Sequence, residues 1–598
     1  MVDDCSTDET EARMQELPWL TYLRQKENGG FIASSNTGLA SARGRFVVFL
    51  NNDTEVLPGW LDELLLTFDN FPTAGLVGSK LIYPDGHLQE SGGILWRDGS
   101  AWNWGRHDDP RNPKFCYARQ VDYCSGASIM LPRELMSELR GFDTHFSPAY
   151  CEDSDLAMRV RAAGRTVMVQ PLSKLVHYEG ITSGTDTTQG VKSYQVTNTK
   201  KLFDRWQSEL ALRPENGTTP TDTKDFGLDK RLLIIDAITP EPDRDAGSVT
   251  SFEIMRAAQA LGFQVTFIPA SNFAEIPDYS ARLQRLGIEV LYFPYCTSVQ
   301  QHLRMFGHRY DVILVYRVDT LFRILSDIRA LAPLARLVYQ TSDLHHLREA
   351  RQAEVENDPA LARSSEKTKE RELALVAEAD ATIVHSIFEK EYLAAHLPSA
   401  QVEVFNWVLD PLGTKVPFEA RSGLMFLGGY RHKPNVDAVL WFLDEVWPRI
   451  RQQLPDVTFY VVGSYLPENL RARGGNGVEM IGFVEDLRQI MDRCRLSVVP
   501  LRYGAGTKGK LAMSLAYGLP AVTTSIGAEG MGLVKGEAVH IADDPADFAR
   551  CVVELYRDAN GWAHMSQAGL NYVDTHLSRR SGTEIVRRAL LGPAAKDV

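Results

Sequence analysis

Short apolar runs closed by polar residues or glycine recur along this chain. Phe46 to Leu50 is the sharpest, five apolar residues that stop at Asn51-Asn52-Asp53. A run of that length between polar residues predicts a buried parallel strand. The polar triplet then falls at its carboxyl end, where open α/β sheets bind ligands. Such a triplet is either a solvated turn or a place where a carboxylate holds a hard divalent cation that bridges phosphates. The pattern from Leu156 to Ala163 predicts a helix closed by Gly164, with Glu152, Asp153 and Asp155 at its start.

The pattern divides the chain into three blocks. Residues 1 to about 205 mix short apolar runs, aromatics and glycine turns, whereas 208–230 carry Pro, Gly, Thr and charge without period, as a linker does. After the linker, Leu232–Ile235, a helix capped by Ser248 and ending near Gly262, and Val265–Ile268 form a βαβ unit. Val290–Tyr292, Val312–Val315, Leu337–Tyr339 and Thr382–Val384 are further strands. A second unit starts at Leu424, with a strand, two glycines and a helix from Asp437 to Arg451, followed by strands Val457–Val462 and Leu496–Val499. Residues 545–590 read as helical. The expectation is two doubly wound halves, 230–415 and 416–598, behind a first domain of 1–207 and a linker of 208–229.

Composition narrows the function. The chain has 598 residues, 44% of them apolar, and a net charge of −13 without a basic run. Those values fit a soluble multidomain protein and argue against a dedicated nucleic-acid binder. Seven scattered cysteines, never spaced CxxC, give no disulfide framework or zinc site and suit a reducing cytosol. No run approaches the ~18 apolar residues of a membrane span. The start, MVDDCSTDET, has no signal-peptide core. It reads as the middle of a domain, a strand-end turn with no strand ahead of it.

Several residues could carry chemistry, each with a plainer alternative. Asp153 and Asp155 at a helix start are favoured there by the macrodipole; one of them could equally serve as a general base towards an acceptor hydroxyl. His177 is either a satisfied histidine or a metal ligand. Gly126-Ala127-Ser128 would let backbone approach a ligand closely. In the last block, Gly428-Gly429-Tyr430-Arg431-His432-Lys433 lies between a strand and a helix. Gly504, Gly506 and Gly509 accompany Lys508 and Lys510 before another helix. Both loops suit an anion, although neither has Walker A spacing.

The first block resembles the inverting glycosyltransferases of family 2, which have the GT-A fold. The resemblance rests on VDDCSTDET, ENGGFIASSNTGLASARGRFVVFLNNDTEVLPGWL, LIYPDGHLQESGGIL, SGASIMLPREL, RGFDTHFSPAYCEDSDLAMRVRAAG and LVHYEGITSG, in family order over about 180 residues. It implies that Asp3 and Asp4 contact the nucleotide. Asn51, Asn52 and Asp53 fill the DxD-type motif, with Asp53 on Mg²⁺ or Mn²⁺. Glu152-Asp153 is the catalytic pair with Asp153 the base, and His177 lies near the donor phosphates as a metal ligand. Asp85, Gly86 and Gln89 fall in a loop without assigned chemistry. Family members open with a strand, a helix and a second strand before VDD; this chain shows none of them. The expectation is an incomplete GT-A domain, either a fragment or a weakened one.

The remaining 360 residues or so resemble the retaining glycosyltransferases of family 4, which have the GT-B fold, through LLIIDAITPEPDRDAGS, YQTSDLHHLREAR, VHSIFEKEYL, FLGGYRHKPNVDAVLWFLDEVWP and PLRYGAGTKGK…YGLPAVTTSIGAEGM. The likeness implies that Gly429, Arg431, Lys433, Gly506, Lys508 and Lys510 bind the donor diphosphate without a metal. It places Glu529 and Gly530 near the donor, and Asp343, His345 and His346 at the cleft from the first half. His345-His346 also reads as a polar helix start. The family's E-x7-E glutamates are replaced by Ala505 and Met513. The fold class expected is α/β, an incomplete GT-A domain followed by two Rossmann-like halves.

The function implied is transfer of sugars from nucleotide-sugar donors onto a bacterial surface glycan such as O-antigen or capsule. The first domain would be inverting and metal-dependent, the second metal-independent and retaining. The alternative is a nucleotide- or glycan-binding scaffold with impaired domains. The expected setting is the cytoplasm, at the inner membrane face where the acceptor is lipid-linked.

Overall fold

The computed structural model describes residues 1–178, 194–219, 224–225, 227–244, 246–356, 358–406, 408–503 and 508–593. Two units emerge, Met1–Arg231 with Gln264–Ser298, and Leu232–Phe263 with Val299–Val598.

In the first unit the main sheet runs Phe46–Leu50, Ser128–Pro132, Ala74–Ile82, Thr166–His177, Thr54–Val56. Phe46–Leu50 is not the doubly buried parallel strand that its apolar run predicts. It pairs antiparallel with Ser128–Pro132 at the end of this order, so only alternate residues face the core. Val47 and Phe49 are buried while Leu50 is exposed. Residues such as Ile129, Leu131, Leu156, Val160 and Val169 complete that core. A short strand does precede the Asp4 turn: Val2–Asp3 pairs in parallel with Leu23–Arg24.

Register builds the site. Ala74–Ile82 and Thr166–His177 are parallel, and Thr54–Val56 returns antiparallel with Thr54 opposite His177. The Asn51–Asp53 turn therefore ends beside the imidazole. Leu88–Glu90 pairs with the end of Ala74–Ile82.

Gln264–Ser298 groups with the first unit, and two of its side chains bond there. Arg285 Nε donates to both oxygens of Glu63, at 2.8 and 2.9 Å, and Tyr295 donates to Asp109 at 2.6 Å.

In the second unit, Lys230–Asp236, Val312–Tyr316, Arg336–Gln340, Ala381–Val384 and Val402–Val404 lie side by side, all parallel. A further parallel sheet has the order Val478–Gly482, Phe459–Val462, Leu424–Leu427, Leu496–Val499, Ala521–Thr523, Val539–Ile541. Counted in chain order that is 3-2-1-4-5-6, the doubly wound arrangement. Its switch point lies between Leu424–Leu427 and Leu496–Val499, the strands that precede the two anion-suited loops. The helix expected from Asp437 begins earlier, at Lys433, and runs through a π turn at Phe442–Val446 to Gln453. The helical tail is three helices, Pro545–Arg557, Ala559–His576 and Arg579–Leu591. The last docks on the earlier sheet, where Arg336 donates to Ala589 O at 2.9 Å and Arg588 pairs with Glu403 at 2.9 Å.

Candidate functional site

In the first unit, Asp53 and His177 face each other with Oδ1 and Nε2 3.4 Å apart. Asp53 Oδ1 is buried and receives no hydrogen bond. His177 Nδ1 meets Gln89 Oε1 at 3.2 Å. A carboxylate oxygen without a donor, facing an imidazole nitrogen across a gap of this size, suits two neighbouring ligands of one cation. Ligands at right angles on a cation with ~2.1 Å bonds stand about 3 Å apart. Among the described residues no cluster of three or more His, Cys, Asp or Glu side chains could hold a metal. A Mg²⁺ or Mn²⁺ held by one or two protein groups and otherwise by substrate phosphates and water needs no such cluster.

Glu152 and Asp153 open the helix Glu152–Ala162, after Cys151 in a left-handed conformation. Burial and the adjacent Asp153 charge push the Glu152 carboxyl up to about 8, and its Oε2 has no hydrogen-bond partner. Asp153 is also raised by burial, opposed by backbone N–H groups. Gly126 N donates to its Oδ2 at 3.3 Å and Ser154 N to its Oδ1 at 2.7 Å. Glu152 is buried whereas Asp153 keeps part of its surface open. Burial thus raises both carboxyls of the pair, Glu152 the more enclosed and Asp153 the one left partly accessible. Asp155 is a structural residue, bonded by Arg159, Arg205 and Trp206 at 2.6, 2.9 and 2.9 Å.

Asp3 and Asp4, read from the sequence as nucleotide contacts, have their carboxylates occupied by the fold. Asp3 accepts from Ser6 N, Tyr22 OH and Arg24 Nη1 at 2.9, 2.5 and 3.1 Å. Burial alone would raise it; these donors outweigh burial and hold it low. Asp4 accepts from Gly29 N and Gly30 N, both at 2.8 Å, and so caps the helix Gly30–Ser41. Asn51 is tied by backbone to Ala127 O at 3.0 Å, and Asn52 is exposed.

In the second unit, the Leu424–Leu427 strand leads into Gly428-Gly429. Gly463 packs so tightly there that a Cβ on it would lie 1.8 Å from Gly428 O, whereas a Cβ on Gly429 would meet nothing within 4 Å. The loop is thus braced on one side and open on the other. Lys433 is the first residue of the following helix, with Pro434 next in its first turn. Arg431 lies over the Tyr465 ring, 3.6 Å from its centroid. Burial and the charge of Lys508 bring Lys510 down to about 8. His432 is lowered by burial, then by Lys510 and Lys508. Cations that disfavour one another's charge in a partly buried place suit an anion. Gly506, assigned to that site from the sequence, lies outside the described residues, as does Ala505. Met513 packs in an apolar cluster with Met425, Tyr460 and Met491, so no carboxylate stands at that position.

Glu529 is exposed, and a Cβ on Gly530 would lie 3.5 Å from Ser386 Cβ. On the Ser386 side, Asp343 pairs with His345 at 3.1 Å and with Arg348 at 2.5 Å. Hydrogen bonding to Asp343 raises His345 against burial. His346, read as a cleft residue, is instead buried. Its Nδ1 meets Glu372 at 2.5 Å and its Nε2 meets Tyr392 OH at 3.0 Å, while Glu372 also receives the backbone N–H groups of His345 and His346. It anchors a helix start. Sequence reasoning missed His385, partly exposed after Ala381–Val384, bonded to Gln340 at 3.0 Å and Phe405 O at 3.1 Å. Its place directly after an apolar strand was the available signal.

Residues 1–140 match the family described as "Glycosyl transferase family 2", and residues 421–558 the family described as "Glycosyl transferases group 1". The chain thus matches two glycosyltransferase family models in order, family 2 near its start and group 1 in its last third. Relatives include the O-antigen biosynthesis protein RfbC of Myxococcus xanthus, 30% identical over 33% of this chain and 15% of that protein. The N-acetylglucosaminyl-diphospho-decaprenol L-rhamnosyltransferase of Mycobacterium tuberculosis is 26% identical over 35% of this chain and 77% of that enzyme. The chain spans 15%, 23% and 43% of the length of the first three curated relatives that it matches. Among solved structures, Anabaena Alr3699/HepE in complex with UDP is 14% identical, with a TM-score of 0.44 over 61% of this chain and 100% of that one.

Proposed function

We propose that this chain transfers glycosyl groups from nucleotide-sugar donors to a surface glycan of a bacterium, and that the first unit does so with inversion. The observation that carries this reading is the Asp53–His177 pair, whose facing atoms, a buried oxygen and a nitrogen, stand 3.4 Å apart without a hydrogen bond. Asp53 and His177 would hold a Mg²⁺ or Mn²⁺, which would supply positive charge against that developing on the leaving diphosphate. Asp153 takes the proton from the acceptor hydroxyl as its oxygen attacks the anomeric carbon from the face opposite the departing phosphate. Gly126 and Ser154 orient the Asp153 carboxylate for this. Glu152 keeps its own proton and so leaves Asp153 as the single negative charge of the pair.

In the second unit, Arg431, Lys433, Lys508 and Lys510 stabilise the leaving phosphates in place of a metal, with retention at the anomeric carbon. Gly429 admits the phosphate closely, Glu529 and Gly530 border the donor, and Asp343 with His345 faces it from the other half. The domain limits that go with this reading are 1–207, 230–415 and 416–598, joined by the linker 208–229. The relatives in O-antigen synthesis and on a decaprenol-linked acceptor support a lipid-linked glycan as acceptor. No helix among the described residues is long and apolar enough to cross a membrane. We place the protein in the cytoplasm, meeting such an acceptor at the membrane face. A second reading, a second unit that binds nucleotide or glycan without chemistry, is favoured by Met513 in its apolar cluster.

The test is turnover of UDP-, GDP- and dTDP-sugars by the whole chain with and without Mn²⁺, for wild type, Asp53→Ala and Asp153→Asn. Inverting transfer that survives either substitution unchanged overturns the first-unit assignment. Nucleotide binding without turnover by the second unit establishes the scaffold reading there.

A further inference from the structure

Gln89 has no role in the chemistry derived above, yet it is buried and touches the outer nitrogen of His177. We propose that Gln89 is a positioning residue that fixes the tautomer and aim of His177 for a divalent cation, an inference that rests on the metal reading of Asp53 and His177.

The argument is one of hydrogen counting. The Gln89 atom facing His177 Nδ1 at 3.2 Å is its carbonyl oxygen, which has no hydrogen to give. Nδ1 therefore carries the proton, and in the neutral ring Nε2 carries the lone pair. That lone pair points at Asp53 Oδ1, an acceptor without a donor, 3.4 Å away. Two acceptors held face to face in a buried place repel each other unless a cation lies between them. With a hydrogen on Nε2 instead, the ring could satisfy Asp53 itself and would have no lone pair for a metal. Gln89 thus selects the ligand form over the satisfied form, as outer partners of metal-bound histidines do.

The placement of Gln89 is equally specific. It lies in Leu88–Glu90, which pairs with the end of Ala74–Ile82, itself the parallel neighbour of Thr166–His177. Successive strand residues point to opposite faces, so Gln89 and Glu90 serve different partners. Glu90 accepts from Ser125 N at 2.9 Å, and the next residue, Gly126, donates to Asp153 at 3.3 Å. One short strand therefore braces both the metal pair and the turn that holds the base.

The experiment titrates the whole chain with Mn²⁺ alone, reading the free-ion electron paramagnetic resonance signal and the spin-echo modulation from a coordinated imidazole nitrogen. The expected result is weaker Mn²⁺ binding by about 10–100-fold in Gln89→Leu, with loss of the nitrogen modulation. Gln89→Glu, which still accepts from Nδ1–H, should keep both within about threefold of wild type. A Gln89→Leu protein with native circular dichroism, wild-type affinity and unchanged modulation overturns the inference while leaving the metal site standing. Failure of Gln89→Glu to rescue binding also overturns it. An Asp53→Ala protein that binds Mn²⁺ as wild type does, with the same modulation, overturns the metal reading itself.

Discussion

Glu152→Gln offers a test of the carboxylate pair that does not depend on finding the substrate. Burial, reinforced by the Asp153 charge, moves the Glu152 carboxyl from an ordinary 4.5 up to about 8. The unfolded chain loses this proton near 4.5, whereas the folded chain keeps it to about 8. Between those limits the folded state holds the extra proton, so stability falls as pH rises through the window. Each pH unit is worth about 1.4 kcal/mol, so wild type loses about 3 kcal/mol from this group between pH 5 and pH 7.5. Glutamine cannot ionise and removes that slope. The variant should therefore match wild type near pH 5 and exceed it by about 3 kcal/mol at pH 7.5. Because the chain has two units, the unfolding must be read locally. Hydrogen exchange in urea, followed in peptides from Glu152–Ala162 and Ser128–Pro132, reports the first unit alone. Equal pH dependence in the two proteins refutes the neutral Glu152.

Asp153→Asn should lower transfer by the first unit by roughly 10²–10⁴ with donor binding kept, the size of a lost general base; an unchanged rate in a product assay counts against it. The acid limb of that activity should lie above the ordinary aspartate value, because burial raises Asp153 and its base form is lost as pH falls; a limb below pH 3 is the contrary result. Chelation should abolish first-unit transfer and leave nucleotide binding by the second unit intact, measured by calorimetry with nucleoside diphosphate before and after EDTA. Lys510 is charged below about 8 and loses its charge above it, so diphosphate affinity should weaken as pH rises from 7 to 9. Lys510→Ala should bind roughly tenfold more weakly at pH 7 and lose most of that pH dependence, whereas an equally steep profile in the variant would remove Lys510 from the site.

What the sequence made legible follows what is local in a chain. The doubly wound halves could be read because each strand–loop–helix unit announces itself within about 30 residues. Asp53 at a strand end and the glycines before Lys433 could be read for the same reason. What the sequence does not show is where side chains end up. Asp4 resembles a ligand contact, but the N–H groups of Gly29 and Gly30, more than 20 residues on, take its carboxylate. His346 sits in a polar pair at a helix start, yet Glu372 on another helix draws it inside. Phe46–Leu50 looked doubly buried because its pattern does not show that it ends the sheet order. Gln89 could be noticed but not interpreted, since its partner is 88 residues away and meets it only through the register of two strands.

The same leaving group would meet opposite electrostatics in the two units. Around the first site the chain gathers the carboxyl groups of Asp53, Glu90, Glu152 and Asp153; even with Glu152 protonated, a diphosphate arriving there unaccompanied would be repelled. Two of these carboxylates are raised by burial, which shows that the fold already resists its own negative charge at that point. A cation held by Asp53 and His177 would reverse the sign there and, on the proposed mechanism, would leave Asp153 anionic for the acceptor proton. Around the second site the chain gathers Arg431, Lys433, Lys508 and Lys510, and the strain is of the other sign. Lys510 and His432 are both lowered by burial first, and then by neighbouring positive charge. An anion would relieve that strain directly, which is the basis for proposing no metal in the second unit. Each site is thus unfavourable empty in the direction that its proposed ligand corrects, the condition under which ligand binding returns the most free energy.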